Sequence, residues 1–77
     1  MYKLQSIIFN KKYNSINDVV SFLYNNDYDF NKIDITKNYY RARQLNPRIL
    51  KKQGYSLYRN KIIDPEKEIY LVLAYKN

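Results

Sequence analysis

The sequence predicts an α+β fold, a single helix packed on a mainly antiparallel sheet of three to four strands in the order β-α-β-β-β. Three observations lead there. Several segments alternate in a period of two, as strands do. Only one segment, with Ile16, Val19, Val20 and Leu23, carries apolar residues at i, i+3, i+4 and i+7, on one helical face. Asn25-Asn26-Asp27, Asn46-Pro47, Gly54 and Asp64-Pro65 punctuate the chain between these segments. A lone helix on one face of an antiparallel sheet is the simplest way to bury such surfaces.

The first strand is expected over residues 2–9. Leu4, Ser6 and Ile8 would share one face, and Ile7 and Phe9 the other. The helix is expected over residues 16–26. Ser15 has the character of an N-cap, its hydroxyl accepting from the Asp18 N–H, and the Asp18 carboxylate suits the positive helix end. Residues 27–36 read as a polar linker. The second strand covers roughly 37–45, with Tyr39, Arg41, Arg43 and Leu45 on one side and Tyr40, Ala42 and Gln44 on the other. Asn46 as N-cap, Pro47 at N1 and Gly54 after the end frame a short helical turn. A third strand follows over about 55–62. Asp64-Pro65-Glu66-Lys67 suits a type I turn. The last strand, about 68–75, is apolar on both faces and should be interior or doubly covered.

Seventy-seven residues make one small domain, residues 1–77. At this size roughly 60–65% of the unfolded chain's surface can be buried, so stability should be modest. With no Cys there is neither a disulfide framework nor a thiolate metal site. No apolar run approaches the ~20 residues that span a bilayer, and the N-terminal residues lack a secretory apolar core. An intracellular protein that is not secreted and has no membrane partner is expected. Oligomeric state is left open, a homodimer being compatible with the sequence.

The charge is distributed unevenly. Residues 1–36 are neutral, with four lysines against four aspartates. Residues 37–62 carry Lys37, Arg41, Arg43, Arg48, Lys51, Lys52, Arg59 and Lys61 and no acid. The net charge of +7 therefore resides in one third of the chain. Asn, Lys, Ile and Tyr, whose codons are AT-rich, make up about half the residues. Codon bias raises the isoelectric point but does not explain why the excess is localised.

Machinery for catalysis is sparse. There is no His and no Cys, so the commonest general base and the most reactive nucleophile are absent. A single Gly rules out a glycine-rich phosphate loop. Asp27, Asp29 and Asp34 lack the other ligands of an EF-hand and suit a polar linker better. No enzyme, metal or cofactor is expected.

The basic segment suits an anionic partner. Arg41 and Arg43 project from one strand face about 7 Å apart, close to the phosphate spacing of a nucleic-acid strand. Tyr39 shares their face, and Tyr55 and Tyr58 lie in the next strand. Aromatic rings interleaved with cations suit base stacking combined with phosphate contact. A solvated sheet face, its tyrosines packing the stems of basic side chains, is the plainer alternative. The expected nucleic-acid contacts are Lys37, Tyr39, Arg41, Arg43, Arg48, Lys51, Lys52, Tyr58, Arg59 and Lys61. Binding would be largely independent of base sequence, since no RNP, GXXG or C2H2 pattern is present. From a different class, an adaptor or virion component docking an acidic protein uses the same residue types, because Tyr and Arg are enriched at interfaces. On the basic strand, Arg41 and Arg43 should be exposed and Tyr40 should face the helix.

The run Thr36-Lys37-Asn38-Tyr39-Tyr40-Arg41-Ala42-Arg43-Gln44, followed by Pro47, resembles an N-Y-x-R-x-R-Q-x-x-P motif. That motif marks a small uncharacterised domain of tailed phages and large DNA viruses. Val19 to Leu23 is similar to the helix of that domain, and Ile69 to Tyr75 to its closing strand. Ala42 stands where the pattern has a large aromatic, and Asn46 where it has Asp. The resemblance implies a viral or phage accessory protein, in the host cytoplasm or the virion, and carries no assigned activity.

Overall fold

The computed structural model describes all 77 residues, Met1–Asn77. It is an α+β fold built on an antiparallel sheet. The elements are β1 (Tyr2–Asn10), α1 (Ile16–Asn25), β2 (Ile33–Ile35), β3 (Tyr39–Arg43), α2 (Pro47–Lys52), β4 (Tyr55–Asp64) and β5 (Ile69–Lys76). The strand order is β2-β3-β1-β5-β4, and every neighbouring pair is antiparallel. The sheet has five strands rather than three or four, and there are two helices rather than one.

The additional strand comes from the stretch read as a linker. Ile33–Ile35 pairs with β3, and its three residues are too few to show a period. Thr36 closes the hairpin: Tyr39 N–H donates to Thr36 Oγ1 at 3.1 Å, and Thr36 N–H donates to the Tyr39 carbonyl at 2.9 Å.

One face of the sheet carries α1. Val19 and Leu23 are fully buried against Ile7 and Phe9 of β1, Ala42 of β3 and Ile69 of β5. Phe22 meets Phe9 edge-on at 5.4 Å between ring centroids. Tyr40 packs at the margin of this core, facing the helix as expected. Ile16 and Val20 do not enter it: they are 40% and 37% exposed. A helix of ten residues resting on a sheet presents a narrow contact stripe, and Phe22 packs on the flank of that stripe opposite Val20.

Ser15 caps α1 as its sequence suggests. The Asp18 N–H donates to Ser15 Oγ at 3.1 Å, and the Ser15 N–H donates to the Asp18 carboxylate at 3.0 Å. These bonds, the one from the Ser15 backbone foremost, hold the Asp18 carboxyl below the usual carboxylate range.

The opposite face is covered at one end by α2. Leu50 packs on Tyr55 and Ala74, so β5 is interior in the sheet and contacts both layers. Asn46 caps α2, its side-chain oxygen accepting from the Arg48 N–H at 2.9 Å. Gly54, at φ +88°, takes the left-handed conformation that ends it.

β1 departs from strict alternation. A bulge between Leu4 and Ser6 inserts Gln5. Leu4 therefore packs toward the α1 core with Ile7 and Phe9, instead of sharing the face of Ser6 and Ile8. The Gln5 carbonyl accepts from both Gln44 N–H and Leu45 N–H, at 2.8 and 3.1 Å. No helix is long and apolar enough to cross a membrane.

Candidate functional site

The register places each basic residue on one face or the other. Ser6 pairs with Arg43, Ile8 with Arg41 and Asn10 with Tyr39, so Tyr39, Arg41 and Arg43 point away from α1. On β4, Tyr58, Asn60 and Ile62 pair with Ala74, Val72 and Tyr70 and lie on that same open face. Arg59 and Lys61 pair with Leu73 and Leu71, on the α1 side. The expected site thus divides. Arg59 and Lys61 do not join Arg41, because a period of two sends neighbours on a strand to opposite faces.

The remaining expected residues flank the open face. Lys37 is exposed in the β2–β3 turn. Arg48, Lys51 and Lys52 are exposed on α2, which lies over the far end of that face while Leu50 anchors it. Tyr39 and Tyr58 are 40% and 44% exposed. Tyr55 is buried, with the ammonium groups of Lys3 and Lys76 5.0 and 5.7 Å from its ring centre, and belongs to the core.

Two adjoining hollows mark this face. The first, of about 480 Å³, is lined by Ile8, Thr36, Tyr39, Arg41, Asn60 and Tyr70. The second, of about 360 Å³, shares Ile8, Arg41 and Asn60 with it and adds Pro47 and Tyr58. Arg41 is the one charged residue of the common wall, with tyrosines on both sides.

Arg41 and Arg43 were expected to be exposed; both are half-buried and both are tied down. Arg43 pairs with Asp34 at 3.5 Å. Arg41 makes no ion pair, although Asp34 is its cross-strand neighbour. Its Nη2 instead donates to Gln5 Oε1 at 3.0 Å. Gln5 is buried and held from three directions. Its Oε1 also accepts from Ser6 Oγ at 2.9 Å, and its Nε2 donates to the Leu45 carbonyl at 3.2 Å. A neutral amide orients the guanidinium without cancelling its charge, so the group is preorganised for an anion. Among strand residues on this face the only acid is Asp34, already engaged.

No family model, characterised protein or solved structure matches the chain.

Gln5, Ile8, Asn60 and Tyr70 belong to the site and were not foreseen. Gln5 had a signal: two successive polar residues, Gln5-Ser6, break the alternation of the strand, as a bulge would. Asn60 and Tyr70 had none, because their place depends on β4 and β5 folding back beside β1. Chemically the face offers stacking surface and one fixed cation.

Proposed function

We propose that this chain binds nucleic acid, with little preference for base sequence, through the face of the sheet opposite α1. The observation that carries this reading is Arg41, a half-buried guanidinium oriented by Gln5, engaged in no ion pair and flanked by tyrosines. Tyr39, Tyr58 and Tyr70 supply rings on which unpaired bases can stack, at about 1–3 kcal/mol per base. Arg41 contacts a phosphate, and Lys37, Arg48, Lys51 and Lys52 attract the backbone from the two margins. Accessible bases are needed for stacking, so single strands are preferred over duplex. The sequence independence follows from the chemistry, since rings and cations read no base edge.

A fluorescence titration with labelled oligonucleotides at several salt concentrations tests the proposal. With about four to six phosphates of a single strand neutralised, log affinity should fall against log salt with a slope of about −3 to −4. Absence of binding at low salt, or indifference to salt, overturns the reading.

A further inference from the structure

The two edges of the sheet differ. β2 closes one edge with three residues. β4 closes the other with ten, and every residue from Ser56 to Ile63 is exposed, Leu57 to 55%. β4 ladders only with β5, and no other hydrogen bond reaches the main chain of Leu57 to Ile63. A row of unpaired N–H and C=O groups is a template for another strand.

The side chains along this edge define what can be added. Arg59 and Lys61 project toward the α1 side, and neither has a carboxylate partner. Tyr58 and Ile62 project toward the open face. A second copy of the chain is a poor occupant. Twofold antiparallel pairing of β4 centred on Tyr58 or Ile62 offers neither Arg59 nor Lys61 a carboxylate, centring on Asn60 sets Arg59 against the copy's lysine, and centring on Arg59 or Lys61 sets each against itself. Like charges directly opposite are destabilising.

We infer that the outer edge of β4 accepts an extended acidic peptide segment of a partner protein by strand addition. The partner's strand carries carboxylates at i and i+2, opposite Arg59 and Lys61, and apolar residues at i−1 and i+3, opposite Tyr58 and Ile62. Main-chain hydrogen bonds supply the binding and the two cations the selectivity. This site does not depend on the nucleic-acid reading, since Arg59 and Lys61 point away from Arg41.

The test uses a fluorescein-labelled peptide built on Val-Glu-Thr-Glu-Val, followed by anisotropy. It should bind, and its Lys counterpart, Val-Lys-Thr-Lys-Val, should not. The double variant Arg59→Glu/Lys61→Glu, its fold checked by circular dichroism, should lose the acidic peptide by about tenfold or more and accept the Lys one. Two further peptides carry N-methyl groups on alternate residues, odd or even, and one of the pair should bind at least about tenfold more weakly through lost main-chain bonds. The inference is overturned if both methylated peptides bind like the parent, which would leave charge attraction alone. It is also overturned if Arg41→Ala weakens the peptide as much as the β4 double variant does. Concentration-dependent self-association through β4 would overturn it in favour of a second copy.

Discussion

Arg41→Ala and Arg59→Ala each remove one positive charge from the chain, yet the two side chains leave the sheet on opposite faces. Binding through the open face makes them unequal. Losing one phosphate contact to a single strand lowers the slope of log affinity on log salt by about 0.7. Carried from 1 M salt, where the counterion effect vanishes, to 0.1 M, that amounts to a factor of about five in affinity. Arg59→Ala should leave the slope unchanged. Neither variant should unfold. Gln5 Oε1 keeps its bond from Ser6 when Arg41 is removed, so no buried acceptor is orphaned and the cost is about 1 kcal/mol. Arg59 lies 5.9 Å from the Tyr75 ring centre, a contact worth about 0.5–1 kcal/mol at an exposed site. Oligonucleotide titrations at matched salt, with a thermal melt of each variant, decide the matter. Equal losses for the two variants would mean that binding follows net charge and not a face.

Tyr40→Ala should cost about 2–3 kcal/mol in urea denaturation, somewhat less than a fully buried ring because Tyr40 lies at the margin of the α1 core. Its effect on binding should vanish once the folded fraction is corrected for. Gly54→Ala should destabilise by about 1–2 kcal/mol through the left-handed backbone, since an added Cβ would meet Lys76 at an ordinary 3.6 Å. The Asp18 carboxyl is held below its ordinary value of 3.8, so its stabilising contribution is present above that pH and is lost as pH falls through the lowered value. Asp18→Asn should therefore be less stable than the parent at pH 7, and the gap should close in strong acid, as urea melts at both pH values would show.

Local chemistry made most of the elements legible. The spacing of Val19 and Leu23, the Ser15 cap, the Asn46-Pro47 start and the Gly54 stop each need only neighbours within a few residues. So does the alternation that separates Tyr40 from Arg41. The strand at Ile33–Ile35 was illegible because three residues carry no period, and it exists through its pairing with β3. Leu4 was assigned to the wrong face because one bulged residue, Gln5, inverts everything before it.

By itself the sequence determined an α+β chain with one principal amphipathic helix, and it concentrated the positive charge between residues 37 and 62. Only the tertiary structure decided how that charge is divided. A linear run of cations becomes a surface through the strand register, which sends Arg41 to the open face and Arg59 and Lys61 to the other. Sequence also carried no sign that Arg41 would meet Gln5, thirty-six residues away, rather than a carboxylate. That contact arises because antiparallel pairing of β1 with β3 brings distant residues side by side, and the bulge turns the amide toward the guanidinium. Hydrogen bonds of such long sequence separation leave no periodic trace in the chain that makes them.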